Sequence, residues 1–339
     1  MSIEIVTTSN EALKESGFGT LIACNNVLNA IQNMGYSARL NVINTKEELN
    51  DVIKRQPTLV VLAVKYIPVA HGDDIWLSEF FSHHGINFTG SSRDVLKFDS
   101  NKVLAKTHLS NKGINTANYF IASPGQYKKE SELPIPFPLF LKPLDAANGN
   151  GIDDLSFVTN FTEFKNKIQS LYSSFNQPIL VEEYLNGSEF TVAVIKTPNQ
   201  KLIVSAVEVI PKISTNGLRI LGAQAKIDDS EILLTIDDNE IKDRVTDLAV
   251  EAFIGLGIRD YGRIDIKTNN SGKCFFMEAN LVPGMTYGSS YFPKACYIAN
   301  NQTYADMIES LIAGGLARVS STIPPNTHPD SDGKLVAAL

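Results

Sequence analysis

Four polar side chains near residues 260–280 have the types and spacing that chemistry requires. Arg263 and Asp265 alternate with apolar residues in one run, and Glu278 and Asn280 end a second apolar run that follows a polar stretch. This pattern predicts a β-hairpin, and because side chains alternate along a strand, all four point to one side of it. Carboxylate and amide oxygens suit hard cations such as Mg²⁺, which proteins hold with one or two carboxylates plus substrate phosphates. The hairpin therefore predicts a divalent-cation site that also needs a polyphosphate.

The register of the hairpin can be predicted from its loop. If a four-residue loop closes it, Arg263 lies opposite Glu278 and Asp265 lies opposite Phe276. The other face then carries the apolar side chains of Ile264, Ile266, Phe275 and Met277. An alternative interpretation is a solvated face on which Arg263 and Glu278 form an ion pair worth about 0 to 1 kcal/mol.

A second segment has the residues that a phosphate site needs. Lys142 ends an apolar strand, and Lys102 lies upstream of it. The loop after the strand contains Asn148, Gly149, Asn150 and Gly151. Glycine and asparagine tolerate positive φ, so successive backbone N–H groups can turn towards phosphate oxygens. An ordinary β-turn and solvated lysines are the alternative interpretation.

The order of these elements along the chain resembles the ATP-grasp superfamily and, within it, the D-alanine-D-alanine ligases. The similarity covers roughly residues 60–293. Its main motifs are Asp99-Ser-Asn-Lys102, Phe137-Pro-Leu-Phe-Leu-Lys-Pro143, the glycine loop, Ile179-Leu-Val-Glu-Glu-Tyr-Leu-Asn-Gly-Ser-Glu-Phe-Thr-Val192, Gly262-Arg-Ile-Asp265 and Met277-Glu-Ala-Asn-Leu-Val-Pro-Gly-Met-Thr286. Val69-Ala-His-Gly72 and Asn87-Phe-Thr-Gly-Ser91 resemble further segments of that family.

The resemblance implies that ATP binds between a central and a C-terminal domain. The residues implied to contact the nucleotide are Lys102, Lys142, Asn148, Gly149 and Gly151 at the phosphates, Glu182, Tyr184 and Leu185 at the adenine, and Glu189 at the ribose. The implied ligands of two Mg²⁺ or Mn²⁺ ions are Asp265, Glu278 and Asn280.

The resemblance also implies catalytic and substrate residues. Arg263 and the backbone N–H of Gly284 would stabilise an oxyanion, and Lys226 resembles a further phosphate or substrate lysine. Glu11 would hold the first amino acid, and Ser289 or Ser290 would bind the carboxylate of the second. The departures from the family pattern affect the substrates: Val6-Thr-Thr-Ser-Asn-Glu11 lacks the usual glycine pair, the glycine loop lacks a serine pair, and Ile227 follows Lys226 where tyrosine is common.

The implied activity is an ATP-dependent, ADP-forming C–N ligase. A substrate carboxylate would become an acyl phosphate, and an amine would then displace phosphate to form a peptide bond between two amino acids. The alternatives are an ATP-grasp ligase of L-amino-acid or natural-product metabolism, and a nucleotide-binding protein without ligase activity. A homodimer is expected from the resemblance alone.

The elements that must position these side chains divide the chain into segments. Strands at 3–6, 40–42 and 59–64 and a helix that ends near Gly35 predict an α/β domain, because an uninterrupted apolar strand such as 59–64 is typical of a parallel sheet covered on both faces. Residues 94–113 are predicted to be helical.

With the resemblance, the prediction is an α/β and α+β chain with a three-domain ATP-grasp architecture and an N-terminal doubly wound parallel sheet. The predicted boundaries are 1–99, 100–187, 188–320 and a tail at 321–339.

Length and composition exclude several classes of protein. At about 150 residues per domain, 339 residues predict two to three domains. A hydrophobic content of 43% excludes wholesale disorder, and a net charge of −7 gives no overall attraction to nucleic acid or anionic lipid. Cys24, Cys274 and Cys296 are too far apart for a zinc or redox motif, and the chain shows neither a signal peptide pattern nor a membrane-spanning run. A cytoplasmic protein with small-molecule amino-acid substrates, and no nucleic-acid or membrane partner, is expected.

Overall fold

The computed structural model describes residues 1–69, 72–144, 149–213, 217, 220, 222 and 231–322. Within these residues the helices are α1 (Glu11–Glu15), α2 (Leu21–Asn33), α3 (Lys46–Lys54), α4 (Leu77–His83), α5 (Arg93–Ser100), α6 (Lys102–Ser110), α7 (Phe161–Phe175), α8 (Asn239–Gly255), α9 (Tyr291–Asn300) and α10 (Tyr304–Thr322). The strands are β1 (Ser2–Thr7), β2 (Ser37–Val42), β3 (Leu59–Leu62), β4 (Tyr66–Ile67), β5 (Ile75–Trp76), β6 (Tyr119–Ala122), β7 (Leu139–Pro143), β8 (Phe157–Val158), β9 (Ile179–Glu183), β10 (Glu189–Lys196), β11 (Leu202–Ile210), β12 (Ile232–Leu234), β13 (Tyr261–Thr268) and β14 (Cys274–Asn280).

The N-terminal sheet is parallel, in the order β2-β1-β3. Alternating side chains of β1 and β3 enter two different cores, which places helices on both faces: Ile5 packs with residues of α2, whereas Val6 packs with residues of α3 and α4. This arrangement confirms the predicted doubly wound sheet. Gly35 has a φ of 86°, as expected for the residue that ends α2.

The predicted helix at 94–113 is wrong in one respect, because it is two helices. Asn101 is extended, with a φ of −136°, and its side-chain oxygen accepts a hydrogen bond from the backbone N–H of Leu104 at 2.8 Å. An N-cap of this kind starts a new helix and competes with continuation of the preceding one. The break separates Asp99, at the end of α5, from Lys102, at the start of α6.

The site lies between two antiparallel sheets. One has the order β6-β9-β7-β8 and is covered by α7, whose Phe164, Ile168 and Leu171 enter its core. The other has the order β12-β11-β10-β13-β14 and packs against α8 and α9. Its core is continuous with one face of the N-terminal sheet, because α10 packs on both β3 and β10.

Among the residues that the structure describes, no helix has the length and hydropathy that crossing a bilayer requires.

Candidate functional site

The β13–β14 hairpin has a different register from the predicted one. Arg263 lies opposite Asn280 and Asp265 lies opposite Glu278, so the predicted pairs Arg263 with Glu278 and Asp265 with Phe276 are wrong. The physical reasons are a five-residue loop and a β-bulge at Met277, each of which shifts the pairing by one residue. Two shifts restore the alternation, so the four polar residues still share one face.

The opposite face of the hairpin is also corrected. Ile264 and Ile266 are buried as predicted, but Phe276, which is fully buried, takes the core position that was predicted for Phe275. Phe275 pairs with Lys267, and Met277 lines the cleft described below.

Asp265 is held by three neighbours on the shared face. Arg263 donates to both of its carboxylate oxygens, from Nε at 3.0 Å and from Nη2 at 2.8 Å. The hydroxyl of Thr191, directly opposite on β10, donates to Oδ1 at 2.7 Å, and Asn280 Nδ2 lies 3.5 Å from Oδ2. Burial alone would lower the pKa of Arg263, but Asp265 and Glu278 outweigh it and raise that pKa. The face is therefore an ordered array of oxygen ligands around a permanent cation.

Lys102 approaches this face from helix α6. Its Nζ lies 3.3 Å from Glu278 Oε2. Because Lys102 is the first residue of α6, its position depends on the break at Asn101 described above. Lys102 is predicted to contact phosphate and Glu278 to bind a metal ion, and the structure brings the two side chains together.

Lys142 and Glu182 belong to a buried ionic triad whose third member the sequence analysis missed. Lys142 Nζ lies 2.7 Å from Glu182 Oε2, and Lys106 Nζ lies 2.7 Å from Glu182 Oε1. Burial opposes ionisation of Glu182, but the two lysines outweigh it and lower its pKa to about 2. Lys106 is four residues after Lys102, and this helical spacing could have identified it. Contact of Glu182 with adenine stays a prediction.

The two glycines of the glycine loop have the positive φ that the sequence predicts. Gly149 and Gly151 have φ values of 73° and 79°. A Cβ at Gly151 would lie 2.6 Å from Pro143 Cγ and 2.8 Å from Phe175 Cε2, so this position accepts only glycine without rearrangement. Asn148 lies outside the described residues.

The predicted adenine and ribose residues lie where β9 leads into β10. Glu189 lies opposite Lys267, whose Nζ is 2.5 Å from Glu189 Oε1. The same ammonium group lies 5.8 Å from the ring centroid of Tyr184, within the range of a cation–π contact. Leu185 is buried beside Phe275 and Ala117. Lys267 is not among the residues predicted from the sequence.

A cleft connects these groups. Its polar lining includes Lys102, Lys142, Gly149, Glu189, Asp265 and Glu278. Phe140, Ile152, Val209 and Met277 form an apolar part. Ligand sites commonly combine such an apolar wall with a few convergent polar groups.

The proposed oxyanion region lies next to a tyrosine that the sequence analysis also missed. The Arg263 guanidinium lies 5.4 Å from the ring centroid of Tyr291, whose hydroxyl donates a hydrogen bond to Glu231. Burial and Glu231 raise the pKa of Tyr291, so the phenol stays protonated. A Cβ on Gly284 would lie 2.9 Å from Ser290 Oγ, which shows how closely the loop of Gly284 approaches the start of α9.

Two of the predicted substrate residues, Ser290 and Glu11, contact other groups of the protein. The Oγ of Ser290 accepts a hydrogen bond from the backbone N–H of Thr286 at 2.9 Å, and this bond stabilises the loop before α9. Ser289 is exposed. Glu11 is largely exposed and lies 2.6 Å from Nζ of Lys14, a buried lysine. Lys226 lies outside the described residues.

The predicted metal site depends on more than carboxylates. Within the residues that the structure describes, there is no group of three or more His, Cys, Asp or Glu that could hold an ion by themselves. The predicted set of Asp265, Glu278 and Asn280 has two carboxylates and one amide. This set fits an ion that also takes oxygens from a phosphate.

Comparison with known proteins decides the family. The family model described as D-ala D-ala ligase C-terminus matches residues 109–313, more than half of the chain. The chain belongs to this family. A D-alanine–D-alanine ligase from Geobacter sulfurreducens is 23% identical over 286 residues, covering 84% of this chain and 86% of the relative. An uncharacterized protein, y4sG, from Sinorhizobium fredii is 27% identical over 236 residues, covering 67% of this chain and 66% of the relative, so the chain spans just under two thirds of that relative.

Solved structures of ligases share the fold. A D-alanine–D-alanine ligase from Bacillus anthracis complexed with ATP has a TM-score of 0.73 at 20% identity, covering 95% of this family member and 99% of that chain. VanG D-Ala:D-Ser ligase from Enterococcus faecalis has a TM-score of 0.69 at 20% identity, with coverages of 93% and 99%. The predicted ATP-grasp architecture is confirmed.

Proposed function

We propose that this chain is an ATP-dependent ligase that joins the carboxylate of one amino acid to the amine of another, with release of ADP and phosphate. The observation that carries the proposal is the convergence, in one cleft, of Lys102 and Lys142 with Asp265 and Glu278, whose face of the hairpin also carries Asn280. Family membership and the ATP-bound structural neighbour support it.

The cleft suits a nucleotide triphosphate with a divalent cation. Asp265, Glu278 and Asn280 would hold Mg²⁺ or Mn²⁺, and two such ions are expected from the family resemblance. When bound, the cation supplies positive charge that offsets the charge of the phosphates. Lys102 and Lys142 would contact phosphate oxygens, with Gly149 and Gly151 providing backbone N–H groups above them. Glu182, Tyr184, Leu185 and Glu189 are proposed to bind adenine and ribose.

The first step would be attack of a carboxylate oxygen on the γ-phosphorus, which breaks the bond to the β-phosphate oxygen and releases ADP. Phosphoryl transfer depends mainly on positioning and charge stabilisation. The amine nitrogen would then attack the carbonyl carbon of the acyl phosphate, and phosphate would leave with the electron pair of the C–O bond. Arg263 and the backbone N–H of Gly284 would stabilise the oxyanion between these events. Arg263 has five N–H donors, of which two bind Asp265.

The amino acids themselves stay a proposal. Dimerisation of D-alanine is one candidate, and L-amino acids or another acyl acceptor are alternatives. The ion pair between Glu11 and Lys14 is a difference to test, because Glu11 would have to exchange Lys14 for the ammonium group of a substrate. The domain boundaries, a homodimer, the cytoplasmic location and the roles of Lys226, Asn148, Ser289 and Ser290 also stay predictions.

The test is incubation of the full chain with MgATP and panels of D- and L-amino acids, with measurement of phosphate release and mass spectrometry of the products. Stoichiometric ADP, phosphate and dipeptide would support the proposal. Binding of MgATP without product from any pair would favour the nucleotide-binding alternative. Absence of MgATP binding would overturn the proposal.

A further inference from the structure

Lys106 is a fully buried lysine that the proposed reaction does not bring into contact with substrate. Its Nζ lies 2.7 Å from Glu182 Oε1 and donates to the backbone carbonyl of Phe276 at 3.2 Å. Taking an ammonium group out of water is costly even when it is paired. An apolar side chain of similar length could fill the same space without that cost. Packing alone therefore does not explain a lysine at this position.

We propose that Lys106 is a positioning residue for Lys142. By holding one oxygen of Glu182, it leaves Lys142 anchored through the other oxygen alone, with its remaining N–H donors available to the phosphates of ATP. This inference rests on the proposed function.

The charge balance of the triad supports this role. Two lysines and one glutamate carry a net charge of +1, whereas Glu182 and Lys142 alone would be neutral. Both oxygens of Glu182 are occupied, one by each lysine, at 2.7 Å. Without Lys106, both oxygens could turn to Lys142 and offset the positive charge that it presents to the cleft. Electrostatic interactions are strong in a site that excludes water. The change in net charge from +1 to neutral at Lys142 should therefore weaken phosphate binding directly.

Lys106 also connects the triad to the hairpin. The carbonyl that it contacts belongs to Phe276, immediately before the bulge at Met277 and two residues before Glu278. Lys102, one helical turn earlier, contacts Glu278 itself. One face of α6 therefore sets the distance between the phosphate-binding lysines and the proposed metal ligands. A shift of α6 would move both sets of contacts together.

The test measures binding of MgATP to the full chain by calorimetry, beside steady-state kinetics. Lys106→Met keeps the pair of Glu182 and Lys142 and leaves no unpaired carboxylate, so we expect it to fold. We expect the Kd and KM for ATP to rise about tenfold or more, while kcat at saturating ATP changes by less than about threefold. Lys112→Met is the matched control, because Lys112 lies just after α6, is exposed and donates to the Gly255 carbonyl at 2.8 Å. It should leave both constants unchanged.

A charge-retaining variant separates positioning from packing. Lys106→Arg keeps a cation beside Glu182 Oε1, so we expect its ATP affinity to stay within about threefold of the wild type, unlike that of Lys106→Met. A packing role predicts instead that Lys106→Arg, whose side chain is larger, binds ATP at least as weakly as Lys106→Met, and that result would overturn the inference. An unchanged Kd in Lys106→Met would also overturn it. If Lys106→Met fails to fold, as judged by circular dichroism, Lys106→Gln takes its place with the same expectations. If the wild-type chain does not bind MgATP, the proposed function is overturned. That outcome is distinguishable from failure of the inference about Lys106, which requires a wild-type chain that does bind MgATP.

Discussion

The carboxylate of Asp99 accepts a hydrogen bond from the backbone N–H of Leu281 at 2.7 Å, and its other oxygen lies 2.7 Å from Lys65 Nζ. Asp99 lies at the end of α5, whereas Leu281 directly follows Asn280. One buried carboxylate therefore joins three parts of the structure: the segment after β3, the end of α5 and the residues that follow the β13–β14 hairpin.

Asp99→Ala should destabilise the fold and displace the hairpin exit. The N–H groups of Leu281 and Val282 would lose their acceptor, and we expect the free energy of unfolding to fall by about 3 kcal/mol. Urea denaturation measures this loss. Asp94→Ala is the control on the same helix, because its ion pair with Lys97 is exposed and its removal should have little effect. Equal stability of the two variants would contradict the structural role of Asp99.

Glu278→Gln should abolish turnover without unfolding the chain. The amide keeps the shape of the side chain but loses the charge that the proposed cation and Lys102 need, so we expect kcat to fall by about 100-fold or more. Phosphate release measures kcat, and thermal unfolding checks the fold. Glu240→Gln makes the same chemical change on the exposed first turn of α8, and it should leave kcat and thermal unfolding unchanged. Near-normal product formation by Glu278→Gln would refute the metal assignment.

The stability of the chain should depend on pH through Glu182. Its pKa is lowered from 4.5 to about 2 in the folded protein, so its contribution to stability is complete above about pH 4.5 and is lost as the pH falls towards 2. We expect the free energy of unfolding to fall more steeply between about pH 5 and pH 3 in the wild type than in the Lys106→Met, Glu182→Gln double variant. Urea denaturation across this range measures both slopes. Parallel curves would show that Glu182 is not linked to acid unfolding.

Gly151→Ala should lower the free energy of unfolding by more than the strain of a positive φ alone explains. A Cβ would lie 2.6 Å from Pro143 Cγ, beside the strand residue Lys142, so the glycine loop must move. Gly85→Ala is the matched control, because Gly85 has a φ of 67° but no atom within 4 Å of an added Cβ. We expect about 1 kcal/mol of destabilisation at Gly85 and more at Gly151, together with a higher KM for ATP only at Gly151. Equal effects of the two substitutions on stability and on KM would contradict a close-packed loop.

The sequence predicts the chemistry of the hairpin better than its geometry. Alternation alone places Arg263, Asp265, Glu278 and Asn280 on one face, because residue types report burial and polarity. The register depends on a bulge at Met277, and a bulge adds one residue without a characteristic residue type.

Long-range pairing explains the other differences between prediction and structure. Lys106, Glu182 and Lys142 are distant in sequence, and only the packing of α6 beside β7 and β9 makes them a triad. The same holds for Lys267 beneath Tyr184 and for Tyr291 beside Arg263. Glu11 has its partner Lys14 one turn away, and this i, i+3 spacing could have indicated the ion pair.

The bulge at Met277 places one extra residue on β14 between Phe276 and Glu278. Without that residue, Ile266 would still lie opposite Phe276 and Asp265 opposite Glu278, because directly paired residues share a face whether or not an extra residue stands between the pairs. Changes in length at the bulge or in the loop can therefore be tolerated as long as these pairs are kept. A slip of β14 along β13 by one residue would instead bring Glu278 opposite Ile264, on the apolar side of the hairpin.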